Sequence, residues 1–222
     1  MASEKQRQKI VETFMGLVAE HGFSGVALAD VAAGAGVTPA QLRGAYDGRM
    51  AILADAMART DRAVLDGIDP DLSGEPARER LLDVLMRRID HVTPHKAAIA
   101  RLLRDARRDP AFALALNGLL VTSMRWMMVA AGTDRAGAAG LLRAQGLAAV
   151  WMKTLEAWLG DEDPGLAATL VALDGNLRRG ERWLGCADRL AGTAARLACR
   201  LKRGRVRTPA PAAGENVAGE GI

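Results

Sequence analysis

Aromatic side chains make up only 4% of this 222-residue chain, and β-branched residues are sparse beside abundant Ala and Leu. Sheets draw on exactly those scarce types, so helix is favoured along most of the length and the expected fold class is all-α. Cysteine is nearly missing: Cys186 and Cys199 are too few, and too far along a helical tail, for a disulfide framework or a metal site. Histidine is as rare. His91 and His95 stand at i,i+4 beside Asp90, a zinc-pair spacing, but Pro94 between them restarts the helix, so no metal is expected. No apolar run reaches the roughly 18 residues of a membrane span, because Arg125 interrupts the richest stretch, Leu119 to Ala131. Glu4, Glu12 and Glu20 break up any signal-peptide core, so the expected place is the cytoplasm, without a membrane partner. Ser-His-Asp, Cys-His and paired-carboxylate arrangements are lacking. Gly34-Ala35-Gly36 follows no strand and meets Pro39 where a phosphate loop needs its third glycine. Neither a catalytic residue nor a cofactor is expected, and the chain does not read as an enzyme.

What is present is a hydrophobic content of 50%, ample for a core, and a formal charge of +4. The charge is not where a nucleic-acid reader at the N-terminus would need it. Lys5, Arg7, Lys9, Arg43 and Arg49 are matched there by Glu4, Glu12, Glu20, Asp30 and Asp47, whereas Arg196, Arg200, Lys202, Arg203, Arg205 and Arg207 form a basic run without an acid. Residues 200–222 read as a basic tail lacking the apolar content to fold.

Ile10, Val11, Phe14, Leu17 and Val18 repeat at helical spacing up to Gly22, where the first helix should end. Leu28, Val31, Ala32 and Ala35 make a second, short helix stopped by Gly36, with Val37 plugging the corner. Thr38 is an N-cap, Pro39 suits the first helical position and Gln41 completes a capping box. That third helix turns Leu42, Ala45 and Tyr46 inward. A fourth runs through Met50, Ile52, Leu53, Ala56 and Met57. Gly67 to Pro76 reads as a loop, and Thr93-Pro94 and Asp109-Pro110 as the starts of two further helices, the second stopping near Gly132. From Gly140 to Leu159 the stripe of Leu141, Ala144, Ala148, Trp151, Leu155 and Trp158 is widened by Leu147 and Val150. Another helix follows the acidic turn Asp161 to Pro164, and a last one carries Trp183, Leu184 and Leu190.

Residues 10 to 53 resemble the N-terminal domain of TetR/AcrR family transcriptional regulators. The resemblance rests on Ala19-Glu20-His21-Gly22-Phe23, Ala29-Asp30-Val31-Ala32, the turn Ala35-Gly36-Val37, the Leu42 anchor, and Tyr46 through Leu53 with Arg49. It departs at Arg43 and Ala45, where the family carries aromatic residues or histidine, and Gly44 weakens the short helix by about 1 kcal/mol relative to alanine. It implies a TetR-like fold: a three-helix helix-turn-helix domain over 1–60, then a helical ligand-binding and dimerisation domain over 61–199. It also implies a homodimer reading a palindromic operator in double-stranded DNA as a ligand-responsive repressor. The expected DNA-binding residues are Thr38, Pro39, Gln41, Leu42, Arg43, Tyr46 and Arg49. Gln41 suits adenine, Arg43 suits guanine, Thr38 suits a phosphate, and Arg49 stands where the family grips the backbone.

Met124, Met127, Met128 and Trp151 are the candidates to line a pocket for an unknown small apolar ligand. The extra apolar width of the Gly140 to Leu159 helix is a second sign of a homodimer, paired with the helix after Pro164. The segment Trp158 to Pro164 resembles a stretch in ubiquinone-biosynthesis lipid-binding proteins, which share the TetR fold without reading DNA. A lipid-binding protein is therefore the alternative function.

Overall fold

The computed structural model describes residues 3–182, and among them all regular structure is helical. Helix α1, Glu4–His21, opens on a capping box: the Ser3 hydroxyl accepts from the Gln6 N–H while the Gln6 side chain accepts from the Ser3 N–H. Its face of Ile10, Val11, Phe14, Met15 and Val18 is buried, and Gly22 at φ 78° releases the chain. Helix α2, Leu28–Ala35, crosses α1 closely because Gly34 has no side chain; a Cβ there would lie 2.7 Å from the Thr13 Cγ2. Val31, Ala32 and Ala35 are buried as the spacing predicts, but Leu28 is 41% exposed. Gly36 adopts φ 66°, the left-handed conformation that turns α2 into α3, Pro39–Ala45. Val37 is buried at the corner.

Helix α4, Arg49–Asp66, belongs to two apolar clusters. Its first turns place Ile52 and Leu53 against Phe14, Val31, Leu42 and Tyr46; its far end places Val64 against Leu85, Ile89 and Met127. The expected boundary near residue 60 thus falls inside one continuous helix. The first cluster also takes Ala98, Leu102 and Phe112 from later helices, so the N-terminal unit is not packed by its own residues alone.

Residues 67–76 hold a 3-10 turn, Pro70–Gly74, before α5, Ala77–Val92. A new helical stretch does begin at Thr93-Pro94, but Thr93 is not its N-cap. The Thr93 hydroxyl donates back to the Ile89 carbonyl, a 3-10 turn covers Thr93–His95, and α6 runs over Lys96–Ala106. Asp109 does cap its helix, accepting from the Ala111 and Phe112 N–H groups at the start of α7, Pro110–Ala130. Contrary to the expectation from Arg125, α7 is long and apolar enough, by length and composition, to cross a membrane. Arg125 is exposed, while Leu120, Val121, Met124, Met127 and Met128 are buried where α7 meets α4, α5, α6 and α8. Helix α8, Gly137–Leu159, starts before Gly140 and buries Ala144, Leu147, Ala148, Val150, Trp151, Leu155 and Trp158. Leu141, placed in that stripe by the sequence, is instead 57% exposed, beside Leu142 at 51%. A last described helix, α9, covers 167–182. Its link from α8 is held by the Asp161 carboxylate, which accepts from the Thr169 N–H and hydroxyl and is kept below the usual carboxylate range by those bonds. Trp183, Leu184, Cys186, Leu190, Cys199 and the basic tail lie outside the described residues.

Tyr46 shows how tightly the first cluster is closed. It is 7% exposed, its hydroxyl donates to Asp55 at 2.6 Å, and the Arg7 guanidinium sits 5.1 Å from its ring centroid. Burial, followed by the bond to the Asp55 carboxylate, pushes its pKa up to about 12. A phenol with a raised folded pKa contributes stability that is fully present below the unfolded value and lost as pH rises through the folded one. Tyr46 is the only tyrosine in the chain, so tyrosinate absorbance reports on it alone. Little tyrosinate is expected at pH near 10, where a free phenol is half ionised. Its appearance towards pH 12 should coincide with loss of helical circular dichroism. A midpoint near 10 with the helix signal intact would contradict this packing.

Candidate nucleic-acid interface and apolar cavity

Helix α3 is held by its ends. The Thr38 hydroxyl accepts from the Gln41 N–H at 3.1 Å, and the Thr38 N–H donates to the Gln41 Oε1 at 2.8 Å. The Tyr46 N–H closes the last turn on the Leu42 carbonyl. Leu42 at 5% and Tyr46 at 7% exposure anchor the helix in the first cluster, so these two expected DNA contacts are core residues with no surface to offer. Thr38, Pro39, Ala40, Gln41, Arg43 and Gly44 face outward. A Cβ at Gly44 would meet nothing, so no packing constraint holds a glycine there.

The polar candidates already have intramolecular partners. Gln41 spends its Oε1 on the cap, leaving only its amide N–H groups for a base edge. Arg43 pairs with Asp47 at 2.5 Å, both side chains well exposed, a pair of little energetic worth that a base edge can displace. Arg49 is committed more deeply. Its Nη1 donates to the carbonyls of Phe23, Ser24 and Val26 at 3.0, 2.8 and 3.3 Å, and its guanidinium lies 5.2 Å from the Phe23 ring centroid. The residue placed by resemblance on a phosphate therefore ties the α1–α2 loop to the start of α4. Sequence reasoning passed over Lys9, whose ammonium lies 3.6 Å from where a Cβ of Gly36 would stand, at the turn itself.

Phe23 continues inward. It stacks on Phe112 of α7 with centroids 4.2 Å apart and meets Phe14 edge-on at 6.2 Å, while its N–H donates to the Asp105 carboxylate of α6. These are all three phenylalanines of the chain, and they join the N-terminal helices to the later ones.

A cavity of about 570 Å³ lies among α1, α4, α5, α6, α7 and α8, within the size range of small-molecule sites. Val11, Met15, Met57, Leu103, Leu120, Trp151 and Leu155 form much of its apolar wall. Of the four expected pocket residues only Trp151 lines it. Met124 and Met127 are fully buried and Met128 nearly so, in the second cluster behind the wall. His91 and His95 border the cavity, and burial draws the His95 pKa down. The described residues hold no group of three side chains suited to a metal ion.

The most unusual group on this wall is Arg88, 2% exposed. Its Nη1 donates to the buried Asp61 carboxylate, which also accepts from the Ser123 hydroxyl at 2.6 Å. Its guanidinium lies 5.3 Å from the Trp151 ring centroid. Burial lowers the Arg88 pKa and Asp61 opposes that shift.

No family model and no curated protein sequence matches the chain. Solved structures do. A TetR transcriptional regulator from Nitrosomonas europaea superimposes with a TM-score of 0.61 at 19% identity, covering 79% of this chain and 97% of that one. A TetR transcriptional regulator from a Rhodococcus species gives 0.55 at 17% identity, covering 81% of this chain and 95% of that one. The chain has the TetR-regulator fold. In that fold the turn at Gly36 and the capped α3 form the helix-turn-helix, and the cavity lies among the helices that follow it together with α1 and α4.

The bonds of Arg49 make a stability prediction. Arg49→Ala removes a charged donor from three carbonyls and from the Phe23 ring, and should cost about 1–3 kcal/mol in denaturant unfolding. An unchanged unfolding midpoint would mean that the clamp carries no weight and that Arg49 is an ordinary surface cation.

Proposed function

We propose that this protein is a sequence-specific, DNA-binding transcriptional regulator acting in the cytoplasm as a homodimer, a repressor released by a small apolar ligand. The observation that carries the reading is the Gly36 turn leading into a Thr38-capped helix, with Leu42 and Tyr46 buried and Thr38, Gln41 and Arg43 outward. A short helix presented in this way suits the major groove, where each base pair shows its own pattern of donors and acceptors. Arg43 leaves Asp47 for a guanine edge. Gln41 leaves the Thr38 N–H for an adenine, and a phosphate oxygen takes over that freed donor at the helix N-terminus. Lys9 supplies the backbone contact that Arg49, occupied elsewhere, gives only in part. The reading assigns no catalytic residue.

Dimerisation is supported by apolar groups left exposed on the last described helices: Leu141 and Leu142 on α8, Leu170 and Val171 on α9. Monomeric surfaces carry scattered residues of this kind, but two adjacent pairs on neighbouring helices suit a helix-bundle interface. Light scattering at micromolar concentration should give twice the chain mass, and a clean monomer would sink the two-fold reading.

A lipid-binding protein of the same fold is the second reading, favoured by the apolar cavity and by the occupied state of Gln41 and Arg49. One experiment separates the two. Genomic fragments selected on the purified protein should converge on a palindrome. Arg43→Ala should then cost about 1–3 kcal/mol and relax preference at one base pair. Lys9→Ala should weaken all sequences alike and reduce the salt slope by about one unit. Fragments without a common sequence, together with a stoichiometric isoprenoid or acyl lipid in the mass spectrum of the purified protein, would replace the regulator by the lipid binder.

A further inference from the structure

The cavity wall holds one polar group that the fold leaves unexplained. Both hydrogen bonds of Arg88, to Asp61 and to the Met127 sulfur, leave from Nη1. Its Nε is buried without an acceptor, although Arg88 lines the cavity. Buried guanidinium N–H groups are almost always paired, since an unpaired one forfeits the hydration it had in water. The side chain that carries this unanswered donor is one of those that line the cavity.

The charge balance limits what can fill it. The Arg88 charge is answered by Asp61. Elsewhere on the wall Arg59 pairs with Glu4 and Asp55, and Arg62 with Asp55. Glu4, Glu12 and Asp66 match Arg59, Arg62 and Arg88 among the lining residues, so the wall has no net charge. An anion entering here would lose its hydration without gaining an uncompensated cation, and would face the Asp61 carboxylate behind Arg88. A neutral carbonyl oxygen loses far less and still meets a charged donor.

We infer that Arg88 is the polar anchor of the cavity and that the ligand is an uncharged, mainly apolar molecule presenting a carbonyl oxygen, such as an ester or ketone, to its guanidinium. This rests on the ligand-responsive reading above and names the ligand chemistry of that site.

The test uses the full chain and three probes of similar length: methyl caprate, caprate and undecane. Binding is read by calorimetry and by tryptophan fluorescence, since Trp151 lines the cavity. Methyl caprate should bind about ten-fold more tightly than either of the others, the worth of one hydrogen bond to a charged donor. Arg88→Lys keeps a cation beside Asp61 but removes Nε and the planar fork. It should abolish the ester preference while leaving undecane binding unchanged. Should that variant fail to fold, the paired Asp61→Leu/Arg88→Met chain removes both charges together and should give the same result. Tighter binding of caprate, equal binding of ester and alkane, no binding of any probe, or an ester preference surviving in a folded variant would each overturn the inference. Selection of genomic DNA on the same preparation is scored separately. An enriched palindrome with no ester preference leaves the regulator and removes this ligand; an ester preference without enriched DNA keeps the ligand chemistry and removes the regulator.

Discussion

Two charges removed from water set the terms for the body of this molecule. Asp61 and Arg88 are 6% and 2% exposed, and each would be prohibitive alone; together, with the Ser123 hydroxyl on the carboxylate, they are tolerated. Such pairs add little net stability over well-packed apolar residues of similar size, but they are exacting about geometry. Asp61 is on α4, Arg88 on α5 and Ser123 on α7, so satisfying the carboxylate fixes the register of three helices at once. The same α4 starts at Arg49 beneath the helix-turn-helix. A slip of that helix by one residue would turn Asp61 away from its partners at one end and undo the Arg49 clamp at the other.

The N-terminal helices are tied to the body a second time through aromatic contact. Arg49 covers Phe23, Phe23 stacks on Phe112, and the Phe23 N–H is fixed by Asp105. Ala98 and Leu102 of α6 complete the same cluster. Any ligand that shifts α6 or α7 therefore pushes directly on the cluster that supports α3, with no longer chain of contacts required.

The parts legible in the sequence were those decided within a few residues. The Gly22 and Gly36 turns, the Thr38 capping box and the Asp109-Pro110 start depend on local backbone chemistry, and α1, α2, α3 and α7 form as their residues imply. Thr93-Pro94 carried the same signature and a new helical stretch starts there, but Thr93 does not cap it, because its hydroxyl found the Ile89 carbonyl instead. Side-chain partners across the fold were not legible. Arg49 reaches back to Phe23, Ser24 and Val26, and Arg88 meets an aspartate on another helix. The methionines misled for a related reason. Spacing shows that Met124, Met127 and Met128 turn inward, but not whether a cavity or a second layer of core awaits them.

The cavity draws its wall from residues as distant in the chain as Glu4 and Leu155, and this has an energetic consequence. A molecule filling it buries apolar area against α1 and α8 together, so it favours whichever spacing of those helices gives the better contact. In the proposed regulator it would alter DNA affinity only by the difference between its affinities for the DNA-competent spacing and for any other. Tight binding alone is not enough. Because Gln8, Val11, Glu12 and Met15 of α1 face the cavity while Ile10 and Phe14 of the same helix pack under α2 and α3, a change in α1 on one side is felt on the other. Close packing leaves α1 little room to absorb such a change by deforming, and the cheaper response is to move as a unit with the helix-turn-helix.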